Sequence, residues 1–318
     1  MKKKILITGA AGMIGSTVVE SKLKKNNLVY GIDNFLNKKS VYIKKFLNKK
    51  NFFFKKKDIS LNKKIFKKNI YFDEVWLLAA NSDIGAGIKN SKIDYQNTFL
   101  TTYNFLNNIS QNLKKNTKVI FTSSSAIYGD LKNNKIKLNY GPYKPISNYG
   151  AMKAASENYL TYYCQNYGIP FYIFRLPNVI SEKFTHGIIN DFIKKINLNK
   201  KYFQILGNGN QRKPYVHAND LVNIIEKIIN IKKFENEFFN LTPNDNGASV
   251  KYIAERTKLI FKSQKIIKYQ KTKYGWKGDV PFYSYKNNLK KYKNLQFKSS
   301  SKEVINKVLT NILNDRKN

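Results

Sequence analysis

Lys4-Ile5-Leu6-Ile7-Thr8-Gly9-Ala10-Ala11-Gly12-Met13-Ile14-Gly15 is the stretch that decides the fold of this 318-residue chain. Its first five residues are a short apolar strand, and the residues after the glycines read as a helix ending near Lys25. A strand, a glycine turn and a helix in that order aim backbone N–H groups and the positive helix end at a pyrophosphate. Gly9 permits the tight turn, Gly12 lets a phosphate approach, and Gly15 lets helix and strand pack closely, with Met13 and Ile14 between them at the helix start. The next strand, Leu28-Val29-Tyr30-Gly31-Ile32, runs into Asp33. A carboxylate about 20 residues beyond the turn accepts both ribose hydroxyls of an adenosine and repels a 2′-phosphate. This favours NAD over NADP, although Lys38 and Lys39 bring cations nearby.

Strand and helix candidates continue to alternate. Glu74–Ala80 and Thr117–Thr122 read as buried strands, Ile93–Leu113 as one long helix, and Asn148–Tyr167 as a helix followed by the strand Phe171–Phe174. The alternation predicts an α/β fold, a doubly wound parallel sheet of the Rossmann kind, with a smaller, discontinuous C-terminal domain. Residues 1–174 plus about 215–242 are assigned to dinucleotide binding. Residues about 175–214 plus 243–318 are assigned to substrate. No internal repeat is visible. The Asn- and Lys-rich stretch from Leu131 to Lys144 reads as a loop over the active site.

Composition excludes several classes. The single cysteine, Cys164, rules out an intramolecular disulfide framework and fits a reducing compartment. No run approaches the ~18 apolar residues of a membrane span. Met1-Lys2-Lys3-Lys4 looks like the start of a signal peptide, but only Ile5-Leu6-Ile7 follows before the glycines. A soluble, cytoplasmic protein is expected. The net charge of +38 invites a nucleic-acid reading, yet the arginines are only Arg175, Arg212, Arg256 and Arg316. Arginine, not lysine, suits bidentate phosphate and base contacts. The lysines are spread among Asn and Ile residues, so the charge reads as a solvated surface with weak, salt-sensitive adhesion to polyanions and no specific nucleic-acid partner. No His or Cys cluster has metal-ligand spacing, and no metal is expected.

Chemistry enters with Tyr149-Gly-Ala-Met-Lys153, preceded by Ser123-Ser124-Ser125 at the carboxyl end of a strand. Positions four apart share a helix face. A phenol, an ammonium and a hydroxyl together can take a proton from an alcohol while hydride leaves its carbon. Poising a tyrosine near neutrality takes about 3 units, roughly 4 kcal/mol. One ammonium at 4–6 Å supplies roughly 3–4 kcal/mol at an effective dielectric of about 20, and a cationic nicotinamide ring would add to it.

These residues, with others in order along nearly the whole chain, resemble the extended short-chain dehydrogenases/reductases, and more narrowly the nucleotide-sugar epimerases typified by UDP-glucose 4-epimerase. The resemblance is carried by Gly9-x-x-Gly12-x-x-Gly15, Asp33-Asn34, Asp58-Ile59, Leu78-Ala79-Ala80-Asn81, Asn97 and Ser124 through Gly129. It continues in Tyr149…Lys153, Arg175-Leu176-Pro177-Asn178-Val179, His186-Gly187, Leu206-Gly207-Asn208-Gly209, Tyr215-Val216-His217 and Gly275–Pro281. It implies an NAD cofactor held by Gly9, Gly12, Met13, Ile14, Gly15, Asp33, Asn34, Asp58, Ile59, Ala79, Ala80, Asn97, Tyr149 and Lys153. Asp58 would lie by the adenine, and Ala79 and Ala80 along the ribose–phosphate path. Ser124 would bind the sugar hydroxyl, with Ser125 in its place should the register shift. Tyr149 would be the base, and Lys153 would hold the nicotinamide ribose. Asn178 would contact the diphosphate, with His186, Arg212, Lys213 and Asp279 as further substrate contacts. A homodimer through the helices Asn148–Tyr167 and Ile93–Leu113 is also implied.

Departures narrow the reaction. Relatives that eliminate water carry a carboxylate at the position of Ala126, so oxidation and re-reduction at C4 of a nucleoside-diphosphate sugar, most simply a UDP-sugar, fits better than 4,6-dehydration. A 4-reductase, dehydrogenase or dehydratase of the same family, and a non-catalytic NAD- or nucleic-acid-binding protein, are the alternatives. The diphosphate arginine of many epimerases falls at Lys213, beside Arg212, and either can serve. Trp276 and Gly85 stand where relatives carry arginines, and Trp276 either stacks on a base or packs. His217, in an apolar stretch, reads as structural; His186 reads equally as pocket or surface.

Overall fold

The computed structural model describes residues 2–36, 41–131, 137–138, 140–184, 186–272, 275, 280, 282, 289 and 292–316. Ile5, Leu6 and Ile7 are buried on both sides, as a strand covered by helices on each face requires. They open β1 (Lys4–Thr8), the first strand of a seven-stranded sheet completed by β2 (Leu28–Asp33), β3 (Phe52–Lys56), β4 (Glu74–Leu77), β5 (Lys118–Ser124), β6 (Phe171–Leu176) and β7 (Glu237–Asn240). All neighbours are parallel, in the order 7-6-5-4-1-2-3. The order reverses between β1 and β4, and in open α/β sheets ligands bind at the carboxyl ends there. The fold is therefore the doubly wound α/β sheet expected.

Three helices matter for the site. Helix α1 (Met13–Lys24) starts at the glycine turn, α2 (Asn148–Tyr167) carries the tyrosine and lysine, and α3 (Ala218–Ile228) packs on α1. The Ser147 side chain caps α2 by accepting from the Gly150 N–H, and Gly168 ends it in the left-handed conformation at φ 61°.

Two elements differ from expectation. Phe52-Phe53-Phe54 forms edge strand β3 within a lysine-dense segment, where three phenylalanines in a row give no alternation to read. Phe52 is buried, and Phe53 stacks on Tyr30 with ring centroids 4.9 Å apart. The expected helix Ile93–Leu113 is divided into an α-helical turn at Ser91–Asp94, a π-helical turn at Tyr95–Leu100, the α-helix Thr101–Ile109 and a 3₁₀ turn at Ser110–Asn112. Such π turns occur where a helix bends its register toward a site. This one sets the Thr98 hydroxyl under the backbone N–H of Asn81, which it accepts at 3.2 Å, and leaves Asn97 and Thr101 on the wall of a cleft.

A separate core gathers Ile189, Phe192, Ile253, Ile305 and Leu309 from the helices Ile188–Asn197, Val250–Ile260 and Ser301–Asp315, with Phe203 from a short strand. The short strands Tyr202–Ile205 and Ile266–Tyr269 pair in parallel beside it. Val216, Leu221 and Ile225 pack instead into the core beneath the large sheet. Among the described residues no helix is long and apolar enough to cross a membrane.

Candidate functional site

The turn after β1 leaves little room for side chains at its glycines. Gly9 has φ 66°, and a Cβ there would lie 3.0 Å from the backbone of Ala79. A Cβ on Gly15 would sit 2.0 Å from the Gly9 carbonyl oxygen, so helix and strand meet closely only with glycine. The Gly12 N–H donates to the Gly9 carbonyl at 3.0 Å, and α1 begins at Met13. The Leu78 and Ala79 N–H groups donate to Thr8 Oγ1 at 3.1 and 3.2 Å, drawing the end of β4 against the turn.

Asp33 ends β2 opposite this cradle. Its Oδ2 accepts the Ala11 N–H at 3.0 Å and its Oδ1 the Phe35 N–H at 2.8 Å, which orients the carboxylate and leaves lone pairs facing the cleft. Burial pushes the Asp33 carboxyl above its ordinary value, against these donors. Asn34 Nδ2 donates to Asp58 Oδ2 at 3.3 Å, and Asp58 and Ile59 continue the same wall. A glycine cradle at a helix start, facing an oriented carboxylate, fits a dinucleotide with a free adenosine ribose.

The expected reacting groups meet where β5 ends. Ser124 hydrogen-bonds the Tyr149 phenol, and its Oγ also accepts the Ala126 N–H at 3.2 Å. Lys153 Nζ donates to the Thr122 carbonyl at 2.8 Å and stands 6.0 Å from the centre of the Tyr149 ring. Burial pushes the Lys153 ammonium down to about 7, with the Glu157 carboxylate pulling it up. Tyr149 departs from expectation: burial pushes its phenol well above the ordinary tyrosine range, Ser124 opposes this, and the Asp94 carboxylate adds to it. Desolvation of the would-be phenolate outweighs the Ser124 hydrogen bond that favours it. In the ligand-free protein Tyr149 is therefore a phenol.

One cleft of about 760 Å³ joins these groups. Its lining includes all the expected dinucleotide residues from Gly9 to Lys153 together with Ser124, Asn178, His186 and Lys213. Two expected residues lie outside it. Ser125 is buried in the 3₁₀ turn Ser125–Tyr128. Arg212 pairs with Ser249 in a two-residue strand and donates Nη1 to the Gly247 carbonyl at 3.3 Å, so Lys213 is the one of the pair on the wall. Asp279 and Trp276 lie outside the described residues. The described part of Leu131–Lys144 packs on Tyr128 and Arg175 and contributes nothing to the lining. His217 is structural: Nδ1 accepts the Asn219 N–H at 3.2 Å, capping α3, and Nε2 meets Glu182 at 3.3 Å. Among the described residues no group of three or more His, Cys, Asp or Glu side chains could hold a metal ion.

Some residues at the site had no signal in the sequence. Asp94 is 0 % exposed, and its carboxylate accepts from Asn81 Nδ2 at 2.7 Å and Asn148 Nδ2 at 3.3 Å, partners 13 and 54 residues away. A Cβ on Gly87 would come within 1.9 Å of Asp94 Oδ2. Gln211 also lines the cleft, and its buried Oε1 has no hydrogen-bond partner among the described residues.

The comparisons with known proteins agree with this geometry. The model of the NAD dependent epimerase/dehydratase family matches residues 5–241. A putative UDP-glucose 4-epimerase of Methanocaldococcus jannaschii is 30% identical over 268 residues, covering 76% of this chain and 82% of its own. A dTDP-D-glucose 4,6-dehydratase of Dictyostelium discoideum is 30% identical over 245 residues, covering 71% and 55%. A crystal structure of UDP-galactose 4-epimerase superposes with a TM-score of 0.82 at 26% identity, over 98% of this chain and 99% of that one. The family match and the relative at 30% identity, on a fold and cradle built for a dinucleotide, make this chain a member of the NAD-dependent epimerase/dehydratase family of extended short-chain dehydrogenases/reductases.

Proposed function

We propose that the protein interconverts a UDP-linked hexose and its C4 epimer, through a transient ketone at C4, with NAD held throughout. The observation that carries this reading is the single cleft joining the Gly9–Gly15 cradle and Asp33 to Ser124, Tyr149 and Lys153, and then to Asn178 and Lys213. Bound NAD supplies an acceptor and donor of hydride and a positive ring charge beside the phenol. Tyr149 Oη takes the proton of the C4 hydroxyl as the C–H bond breaks, and returns it to the same oxygen when hydride comes back on the other face. Ser124 holds that hydroxyl in line, and Lys153, fixed by Thr122, holds the nicotinamide ribose. Asn178 and Lys213 hold the diphosphate.

The reaction stops at C4 on this reading. A dehydratase needs a further acid/base at the sugar, and Ala126 has no proton to exchange. Asp83 is the nearest lining carboxylate in sequence to the Ala79-Ala80-Asn81 wall, but its Oδ1 caps the helix Ile84–Lys89 by accepting the Ala86 N–H at 3.1 Å. The names of the relatives, epimerases and dehydratases of nucleotide sugars, support the substrate class.

The core of Ile189, Phe192 and Ile305 is taken as the substrate domain, and the large sheet as the cofactor domain. We place the protein in the cytoplasm as a homodimer. The exposed rings of Tyr95, Tyr103, Tyr162 and Tyr167 line one face of α2 and the adjoining π-helical and α-helical segments, the face a second copy would cover. Purified protein incubated separately with UDP-glucose and UDP-galactose, with products resolved by chromatography, tests the activity. Interconversion of the two without consumption of added NAD is the expected result; net formation of NADH would replace the epimerase reading with a dehydrogenase.

A further inference from the structure

Three residues four apart, Tyr149, Lys153 and Glu157, share the face of α2 that packs on β5 and β6. The third has no part in the chemistry above. Glu157 is 1 % exposed, and Arg175 of β6, 3 % exposed, grips it with three hydrogen bonds: Nε to Oε1 at 3.1 Å, Nε to Oε2 at 3.2 Å and Nη2 to Oε2 at 2.8 Å. Arg175 also donates Nη1 to Tyr128 Oη at 2.8 Å and to the Leu138 carbonyl at 3.1 Å, and Nη2 to Tyr143 Oη. Tyr128 closes the segment that starts at Ser124 and donates its own hydroxyl to Asn240 Oδ1 of β7 at 2.8 Å. The ion pair thus ties the helix bearing Tyr149 and Lys153 to the segment bearing Ser124.

We propose that Glu157, clamped by Arg175, is a positioning residue for Lys153, keeping its ammonium charged and directed at the Thr122 carbonyl. The reading rests on the assignment of Lys153 to the reacting set. A buried amine sheds its proton unless a carboxylate stands near it. Lys153 meets Tyr149 and Glu157 on its own helix and the Thr122 carbonyl and Phe121 ring of β5, while one step further out Asp94 acts on Tyr149 and Arg175 on Glu157. Glu157 is the carboxylate that raises the Lys153 pKa, against the burial that lowers it to about 7.

Competitive acetylation of the ligand-free protein, followed by mass spectrometry of the Lys153 peptide across pH, reads the lysine directly without any turnover. Failure here therefore leaves the epimerase reading standing, and absence of turnover leaves this result standing. In Glu157→Gln the Lys153 midpoint is expected to fall by about one pH unit, since an opposite charge nearby is worth 1–3 units, while exposed Lys251 keeps its midpoint. A purely structural pair would lower the melting temperature and leave the Lys153 midpoint in place, and that result in a folded variant overturns the proposal. Should Glu157→Gln not fold because Arg175 is left unpaired, the double variant Glu157→Gln/Arg175→Met removes both charges. Its Lys153 midpoint must still fall; an unchanged midpoint overturns the proposal equally.

Discussion

Lys153 donates to the main-chain carbonyl of Thr122 at 2.8 Å, so the ammonium is held by the strand that ends in Ser124 while its helix carries Tyr149. The bond sets the lysine's place before any ligand arrives. It also takes one of the three ammonium donors, leaving two for the ribose and phenol of the proposed mechanism.

On the proposed mechanism, Tyr149→Phe removes the proton carrier and keeps the ring. Turnover is expected to fall by about 10²–10⁴-fold, the usual worth of a general acid–base step. Steady-state kinetics with UDP-galactose, alongside a thermal melt showing an intact fold, checks this. Activity within tenfold of the parent would assign the proton transfer elsewhere.

Lys153 predicts a pH dependence of stability. Its folded value of about 7 lies below its ordinary 10.5, so between these values the unfolded chain binds a proton that the folded one has released. Stability therefore rises with pH across that window, and the cost of burying the charge is largest below it. Lys153→Met removes this contribution to the slope. At about pH 6 the variant is expected to be more stable than the parent by about 1–4 kcal/mol, the advantage shrinking toward pH 10. Urea titrations at the two extremes measure it, and a variant no more stable at the acid end would contradict the buried-charge account.

Much of this site was legible in the sequence because it is local. The Gly9–Gly15 cradle, Asp33 at the end of the next strand, and Tyr149 four residues from Lys153 are each set by the geometry of a single element or βα unit. What stayed hidden is non-local. Asn81, Asp94 and Asn148 meet only because the sheet end, the π-helical segment and α2 converge, and no spacing announces that. Spacing likewise gave the helix Ile93–Leu113 one continuous period, while tertiary contacts at Thr98 widened a turn within it. Edge strand β3 was masked by the lysines around its phenylalanines.

Asp33→Asn weakens the contact proposed to select the adenosine ribose. NAD affinity is expected to drop about 10–100-fold, the worth of a charge-assisted hydrogen bond. Discrimination against NADP should fall with it, since the repulsion toward a 2′-phosphate disappears. Titration of ligand-free protein with each dinucleotide compares the two, and an unchanged NAD:NADP ratio would remove Asp33 from cofactor selection.

The tyrosine face of α2 predicts assembly. Tyr162 is 61 % exposed and neighbours Tyr159, with ring centroids 6.0 Å apart. Tyr162→Glu would bury an unpaired charge if that face meets a second copy, so sedimentation should show a dimer for the parent and a monomer for the variant. A parent that sediments as a monomer at all concentrations would leave this face without a partner.

The central claim is that the hydrogen at C4 leaves and returns to the same carbon. UDP-glucose carrying deuterium at C4, converted by the purified protein and examined by mass spectrometry and proton NMR, tests it most directly. The expected product is UDP-galactose with deuterium still on C4 and no net reduced cofactor. Deuterium lost to solvent, or found on C6 of a dehydrated sugar, would contradict the epimerase account.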